Sequence, residues 1–343
     1  MRAALHRSHG GLDVLEIADV PDPEIGLGDV LIAVKATALN RLDVLQRQGP
    51  ALLPDFSLPH IAGMDVAGEV VALGAAVDTL AVGDRVVVNP ALHCGDCDVC
   101  RSGDDGYCPF TRVVGGNHPG GLAELCAVPA THAYRIPDTV DYGEAATVPT
   151  IYSTAWHALF TSGDLRLGET VLIHAAASGV STAAIQLAKR AGATVIATAS
   201  SQAKLDVARK LGADVGIVNR SESWVDDVRA ATGGRGVDMV FDHVGPALFQ
   251  GSLFALRARG RLVFCGTTTG VNASFNLPHA YHFGMRLLGA DPYSYAEFAE
   301  LLDHYWSGGY EPVIDSEWPL DEIAAAQHKL ESGDVVGKIL VRP

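Results

Sequence analysis

The chain has 343 residues, which exceeds the roughly 250 to 300 residues at which a single hydrophobic core stops growing, so we expect two domains. Its 25 lysines and arginines against 40 aspartates and glutamates give a net charge of −15, which disfavours nucleic acid and anionic membranes as partners. The hydrophobic share of 48% and the 37 glycines are typical of an α/β enzyme. Because no signal-like apolar run stands near the start, we expect a cytoplasmic protein. We expect its partner to be a small-molecule substrate.

The first 150 residues carry short valine-rich runs that glycine, proline and aspartate interrupt, a pattern typical of strands joined by turns. Strands are predicted at 30–34, 66–71 and 85–88. These runs predict a β-rich, partly open barrel.

From about residue 150, predicted strands alternate with predicted helices. The strands lie at 171–173, 195–198, 216–218, 237–241 and 262–265. The helices lie at 183–191, 203–211, 224–231 and 249–256. This alternation predicts a parallel sheet with helices on both faces, which is a doubly wound, Rossmann-type α/β domain.

After residue 289 the alternation ends, and two helices and a final strand at 338–342 are predicted. We expect this tail to return to the first domain. The chain then divides into a catalytic domain, residues 1–150 and 289–343, and a dinucleotide-binding domain, residues 151–288.

Four cysteines cluster in the pattern C-x2-C-x2-C-x7-C: Cys94, Cys97, Cys100 and Cys108. Four thiolates so close in sequence can complete the tetrahedral shell of a structural zinc, and the predicted lobe spans residues 93–109. An iron–sulfur cluster is the competing interpretation, but a ferredoxin run has three residues before its last cysteine and this chain has seven. We expect one structural zinc per chain.

The segment 171–188 predicts a strand, a tight turn and a helix, a setting in which the first N–H groups of a helix bind pyrophosphate. The G-x-G-x-x-G pattern is absent, since Gly179 is the only glycine in the turn. A plain sheet-packing turn is the alternative. The candidate phosphate contacts are Ser178, Gly179 and Val180.

The second strand of this domain is followed by Ser200, Ser201 and Lys204 and not by the acidic residue that usually binds the ribose of NAD. Arg220 can add a second cation, so the sequence favours NADP(H), with NAD(H) as the alternative. The serines can equally cap a helix, and Lys204 can be an ordinary surface lysine. We also assign Thr154, His243 and Gly266 to the cofactor site.

The chain resembles the medium-chain dehydrogenase/reductase superfamily, which includes zinc alcohol dehydrogenases and quinone oxidoreductases. The resemblance rests on the cysteine lobe and on the segments at 63–70, 82–86, 154–156 and 337–339. It implies a chaperonin-like barrel domain, a Rossmann domain and an active site in the cleft between them. It also implies a homodimer formed through edge strands of the Rossmann sheets, with 262–265 and the segment to Phe283 as candidates; a tetramer is the alternative.

Zinc alcohol dehydrogenases of this family bind a second, catalytic zinc, and the matching positions here are Asn40, Met64 and Thr150. None of these is a good zinc ligand. Nearby, His60 with Asp65 and Asp43 offers a possible replacement set. The resemblance therefore keeps the structural zinc and loses the usual catalytic one.

The segment 38–49 is similar to the quinone oxidoreductase branch, in which an Asn and an Asp, here Asn40 and Asp43, line the active-site cleft. The chain departs from that branch at Leu45, where an aromatic residue is common, and in having the cysteine lobe. Without a metal to stabilise an alkoxide, an activated acceptor is the easier substrate. We expect hydride transfer from NADPH to a quinone or an α,β-unsaturated carbonyl, with Asn40 as the polar contact and Asp43 holding its loop.

Two other functions remain open at this point. One is an alcohol dehydrogenase with unusual catalytic zinc ligands, which predicts alcohol oxidation that a chelator abolishes. The other is a non-enzymatic nucleotide-binding protein, which predicts cofactor binding without turnover.

Overall fold

The computed structural model describes residues 1–221 and 223–343. The strands are β1 Arg2–His6, β2 Leu15–Asp19, β3 Asp29–Ala38, β4 Asp65–Leu73, β5 Arg85–Val88, β6 Ala91–Leu92, β7 Arg112–Val113, β8 Leu125–Pro129, β9 Ala133–Arg135, β10 Thr170–Ile173, β11 Thr194–Ala199, β12 Val215–Val218, β13 Val237–Asp242, β14 Leu256–Phe264, β15 Arg286–Gly289, β16 Ile314–Pro319 and β17 Lys338–Arg342. The helices are α1 Arg41–Gln48, α2 Asp98–Arg101, α3 Tyr142–Thr147, α4 Pro149–Trp156, α5 Gly179–Arg190, α6 Gln202–Lys210, α7 Trp224–Ala231, α8 Pro246–Ala255, α9 Leu277–His282, α10 Tyr295–Trp306 and α11 Ile323–Ser332.

The chain divides into two compact units, residues 1–150 with 294–343, and residues 151–293. The second unit extends five residues beyond the predicted boundary at 288. The reason is that β15 pairs with β14, and Ala290 N continues that pairing by donating to Phe264 O.

The first unit is built around a seven-stranded sheet with the order β16-β17-β3-β4-β5-β9, and β8 also pairs with β3. Alternate residues of β3, such as Val30 and Ile32, are fully buried because one face of the strand covers the core. The final strand β17 returns to β3, where Leu340 lies opposite Ala38. This pairing brings the start of β17 to the residues that follow β3.

The second unit contains a six-stranded parallel sheet with the order β12-β11-β10-β13-β14-β15. Strands β10 and β13 are buried along their whole length, as expected for a sheet that helices cover on both faces. The connections turn in opposite directions from β10 and β13, so the switch point of the sheet lies between these strands. A parallel sheet and a separate sheet-rich unit are both present, which confirms the predicted fold.

One expectation about this sheet is wrong. Residues 262–265 were expected at the sheet edge, but most of them lie in β14, which pairs with β13 on one side and β15 on the other. The edge strand β15 is only four residues long and begins with Arg286, so the sequence pattern does not reveal it. None of the helices in the described residues has the length and apolar character that crossing a membrane requires.

Candidate active site and metal centre

The four cysteines of the loop at 94–108 converge on one point, and their Sγ atoms all lie within 4.8 Å of one another. The separation of sulfur atoms is 3.8 Å for Cys94 and Cys100, 3.9 Å for Cys97 and Cys108, and 3.5 Å for Cys94 and Cys108. A tetrahedral zinc with Zn–S bonds of about 2.3 Å separates its sulfurs by about 3.8 Å. The arrangement therefore fits one zinc ion and leaves no room for a cluster of several irons.

Backbone groups of the loop prepare the sulfurs for a cation. Cys97 N donates to Cys94 Sγ, and Cys100 N donates to Cys97 Sγ, both at 3.4 Å. Burial acts against the charged form of Cys108, but N–H groups of Cys94 and Phe110, together with the thiols of Cys94 and Cys100, outweigh it and lower the thiol pKa to about 6. Zinc binds the thiolate, so these contacts favour the form that it needs.

A buried polar network contains Asn40 and Thr150, two of the three positions that match the catalytic zinc ligands of zinc alcohol dehydrogenases. Asp65, at the start of β4, is 0% exposed and accepts hydrogen bonds through both carboxylate oxygens. Thr150 donates to Asp65 Oδ1 from its backbone N at 2.9 Å and from Oγ1 at 2.6 Å. Asn40 Nδ2 and Lys338 Nζ each donate to Asp65 Oδ2 at 2.9 Å. We call Asn40, Asp65, Thr150 and Lys338 the Asp65 network.

Lys338 supplies the positive charge of the Asp65 network and is 3% exposed. Besides Asp65, its ammonium donates to Asn40 Oδ1 at 2.6 Å and to Leu39 O at 2.8 Å. An ammonium has three protons, and three acceptors surround this one. A cation is therefore built into the protein beside Asp65, and a second cation at this point would meet electrostatic repulsion.

Asn40 is the N-cap residue of α1, and its amide group is committed within the protein. Nδ2 donates to Ala38 O at 3.2 Å and to Asp65 Oδ2 at 2.9 Å, while Oδ1 accepts from Lys338. To contact a substrate as a donor, Asn40 must exchange one of these bonds. Its role as the polar contact stays a prediction.

Asp43 lies in the first turn of α1 and is completely buried. Its carboxylate accepts from Asn40 N at 2.7 Å and from Gly63 N at 3.0 Å. Burial raises the pKa of this carboxyl group to about 6, although the two backbone N–H groups oppose the change. Such contacts tie the start of α1 to the loop before β4, and the role of Asp43 in holding the loop of Asn40 stays a prediction.

The replacement zinc set does not assemble as a ligand cluster in the described residues. His60 Nε2 is 2.9 Å from Gly115 O, and its ring packs against Phe56 and His6. Over residues 1–221 and 223–343, only the four cysteines bring three or more candidate metal-binding side chains together.

In the second unit, predicted cofactor residues meet at the switch point of the parallel sheet. Ser178 is the N-cap residue of α5, and its Oγ accepts from Ser181 N at 3.2 Å. The N–H groups of Gly179 and Val180 have no acceptor within the helix because they belong to its first turn. His243, which follows β13, places Nε2 at 2.7 Å from Ser181 Oγ and 3.2 Å from Ser178 Oγ. Burial lowers the pKa of His243, which favours a neutral ring beside the helix start.

The remaining predicted cofactor residues follow neighbouring strands of the same sheet, apart from Thr154, which lies within α4. Ser200 and Ser201 follow β11, and Ser201 Oγ caps α6 by accepting from Lys204 N at 3.4 Å. Arg220 follows β12 and is exposed. Gly266 follows β14 with a φ of 139°, and a Cβ there would lie 2.7 Å from His243 O, so glycine allows these two loops to approach.

Comparison with known proteins agrees with this two-part architecture. Residues 26–138 match the alcohol dehydrogenase GroES-like domain, and residues 179–307 match the zinc-binding dehydrogenase family. An NAD-dependent alcohol dehydrogenase of Sulfolobus acidocaldarius is 30% identical, with 100% of this chain and 99% of that protein covered. The chain belongs to the medium-chain dehydrogenase/reductase family.

Two further relatives of this medium-chain oxidoreductase illustrate the range of the family. The chloroplastic NADPH-dependent alkenal/one oxidoreductase of Arabidopsis thaliana is 31% identical, with 100% of this chain and 80% of that protein covered. A crystal structure of an NAD-dependent alcohol dehydrogenase superposes with a TM-score of 0.96 at 38% identity, and each chain is covered completely. The family is therefore established, whereas its members differ in substrate and in cofactor.

Sequence reasoning about this medium-chain oxidoreductase missed two sets of residues. Lys338 was recognised only as part of a family segment, because nothing in the local sequence marks this lysine as buried. Directly after β10, His174 is 0% exposed, and its ring nitrogens lie 2.8 Å from Thr198 Oγ1 and 2.9 Å from Ser252 Oγ. Burial lowers the pKa of His174 to about 4, and the neutral ring can bridge these two hydroxyl groups.

Proposed function

We propose that this chain is an NADPH-dependent reductase of quinones or α,β-unsaturated carbonyl compounds that uses no catalytic zinc. The Asp65 network carries this proposal. Three positions that would hold the catalytic metal in zinc alcohol dehydrogenases are Asn40, Met64 and Thr150 here, and two of them are hydrogen-bonded to Asp65. The Lys338 ammonium, 2.9 Å from Asp65 Oδ2, already supplies the positive charge.

The choice of substrate follows from this charge arrangement. Oxidation of a simple alcohol needs a Lewis acid or an equivalent donor to stabilise the alkoxide. Lys338 donates all three of its protons within the protein, so none of them is left to stabilise a substrate alkoxide. A quinone or an enone is already electrophilic and requires only an aligned hydride donor and a polar contact for the developing oxyanion.

When bound, the nicotinamide cofactor supplies the hydride. The residues of this chain would bind and orient it: Gly179 and Val180 through first-turn N–H groups, and Ser178 and His243 through the polar side chains beside them. In the first unit, Asp43 and Lys338 would hold the position of Asn40. The proton that completes the reduction comes from water or from a side chain.

A preference for NADP(H) is supported by the residues that follow β11. Positions 199–204 contain no acidic side chain that would repel a 2′-phosphate, and Ser200 and Lys204 offer a hydroxyl group and a cation. Arg220, which follows the neighbouring strand β12, adds a second cation. We propose a homodimer as well, with β15 as the sheet edge available for pairing.

Alcohol dehydrogenation is the second candidate, and the names of two similar proteins favour it. Alcohol dehydrogenation requires a second metal ion in the first unit, in addition to the zinc ion that fits the cysteine lobe. The two candidates differ in direction, in substrate and in their response to chelation, so one set of assays separates them.

The assay follows the absorbance of NADPH with 1,4-benzoquinone and with trans-2-hexenal, and in parallel the reduction of NADP+ and NAD+ with ethanol and 1-hexanol. Each reaction is repeated after brief incubation with 1,10-phenanthroline. The proposal predicts NADPH oxidation with at least one acceptor and an unchanged rate after chelation. Alcohol-dependent reduction of NAD(P)+ that chelation abolishes would establish the second candidate instead.

A further inference from the structure

The second unit contains a cavity of about 960 Å³ among α7, α8, α9 and the start of β14. This volume lies in the range of pockets that hold small molecules. Arg257 and Ala258, at the amino end of β14, line it, whereas the predicted cofactor residues follow the carboxyl ends of the strands. The cavity extends along α8 from Ala247 to Phe254, and none of the predicted cofactor residues lines it.

Three arginines line this cavity in a protein whose net charge is −15. Arg235 and Arg257 share the carboxylate of Asp238. Arg229 donates to Phe254 O at 3.0 Å and to Gly234 O at 2.8 Å, which are neutral acceptors. No carboxylate in the described residues forms an ion pair with Arg229.

The charge balance of the cavity is positive. Among the described residues, Asp226 is the one acidic residue in the lining, and Asp238 is the shared partner of two of the arginines. In the described residues, three guanidinium groups are thus balanced by two carboxylates. A positive site in an acidic protein is suited to concentrating an anion of small size.

Aromatic rings form the apolar wall. Phe254 and Phe283 each lie 4.7 Å from the ring of His279, and the exposed fractions of the two phenylalanines are 36% and 47%. Gln250 also belongs to this lining, and its Oε1 accepts from Asn276 N at 2.6 Å.

We infer that this cavity is a second ligand site, which binds a planar aromatic anion with a carboxylate or phosphate group. The anionic oxygens pair with the guanidinium of Arg229, the lining cation that has no carboxylate partner in the described residues. The ring packs against Phe254, His279 and Phe283. This site is separate from the proposed reductase function and does not depend on it.

The test is calorimetric titration of 2-naphthoate into the full chain at saturating NADPH, with the neutral 2-naphthamide as the matched ligand. Four proteins are compared: the wild type, Arg229→Gln, Arg229→Lys and the control Arg209→Gln. Arg209 is an exposed arginine of α6 that pairs with Asp206 and does not line the cavity. Melting temperatures of all four proteins establish that each is folded.

The inference predicts saturable binding of one 2-naphthoate per chain and at least tenfold weaker binding of 2-naphthamide. Arg229→Gln weakens 2-naphthoate binding tenfold or more, Arg229→Lys weakens it less, and Arg209→Gln leaves it within twofold. Three results would each overturn the inference: no saturable binding, equal affinity for the acid and the amide, or equal affinity in the wild type and Arg229→Gln. The titration of the wild type is repeated without NADPH. Binding that is seen only in the absence of NADPH would also overturn the inference, since the cofactor site would then be the one detected.

A second measurement needs no variant. The affinity of the wild type for 2-naphthoate is compared at 50 and 500 mM salt, and ion pairing predicts a clear decrease that the amide does not share. An affinity that is independent of salt would contradict the proposed pairing with Arg229.

Discussion

The cysteine lobe and the Asp65 network lie in the same unit but are assembled in opposite ways. The lobe takes its four ligands from residues 94–108, close to the surface, and Cys94 is exposed. The Asp65 network draws on residues 40, 65, 150 and 338, and its ion pair is buried. The lobe is organised to receive a cation from solution, whereas the network already contains one as Lys338. Where the protein itself supplies the charge, no metal is needed to balance Asp65.

The largest effect is expected when a ligand is removed from the lobe. Cys108→Ser takes one thiolate from the tetrahedral shell, and serine is a poor zinc ligand at neutral pH. We expect zinc to fall from about one ion per chain to near zero, since metal binding and local folding are coupled. Elemental analysis of purified protein measures this change.

Cys126→Ser is the matched control, because Cys126 is a buried cysteine of β8 outside the lobe. It should retain the zinc content of the wild type. Equal zinc in the wild type and in Cys108→Ser would refute the assignment of the lobe as the metal centre.

The second-largest effect is expected when the cation of the Asp65 network is removed, and it is a loss of stability. Lys338→Met leaves the Asp65 carboxylate buried without its ionic partner, and loss of one member of a buried pair costs about 3 to 5 kcal/mol. Urea unfolding measures the free energy of unfolding of the variant and of the wild type. Lys189→Met breaks the partly exposed pair with Asp214 and should cost about 1 kcal/mol or less. Similar losses for the two variants would mean that the Asp65 network contributes no special stability.

The contrast between these regions also explains what the sequence could predict. The lobe is local, so residue spacing alone predicted the four cysteines that the structure brings together. The parallel sheet was predictable for a similar reason, because each strand and helix leaves its own periodic signal.

The Asp65 network was not predictable at this level, because it depends on how distant segments pair. Lys338 reaches Asp65 only because β17 pairs with β3 in a register that places Leu340 opposite Ala38. A shift of one residue would turn Lys338 to the other face of the sheet, and no local pattern encodes that register. The edge strand β15 was missed because Arg286–Gly289 is short and partly polar.

A smaller effect concerns Asp43, whose pKa is raised from 3.8 to about 6 by burial. The folded protein thus favours the protonated carboxyl group, so this stabilising contribution is present below about pH 4 and is lost as the pH rises through 6. Relative to Asp43→Asn, the free energy of unfolding of the wild type should fall by about 2 kcal/mol between pH 4 and pH 7. Urea unfolding at several pH values measures the difference between the two proteins.

The exposed carboxylate of Asp206 provides the control for this pH series. The difference between the wild type and Asp206→Asn should change little with pH in the same range. A pH-independent difference between the wild type and Asp43→Asn would show that burial does not perturb the Asp43 carboxyl group.

The smallest effect is expected in the second unit. Lys204→Ala should raise KM for NADPH about tenfold and leave KM for NADH nearly unchanged, because one charged contact to a 2′-phosphate is worth about that factor. Steady-state kinetics with the best acceptor give both values. Lys210→Ala, at the exposed end of α6, is the control and should change neither. An equal change in both KM values for Lys204→Ala would remove this lysine from cofactor discrimination.

The contrast between the lobe and the Asp65 network is tested most directly by the zinc content of the wild-type chain, purified without added metal or a metal-binding tag. Elemental analysis should give about one zinc per chain, held by Cys94, Cys97, Cys100 and Cys108. A content of about two would mean that a second metal binds despite the buried ammonium of Lys338. That result would contradict the zinc-free mechanism and favour alcohol dehydrogenation.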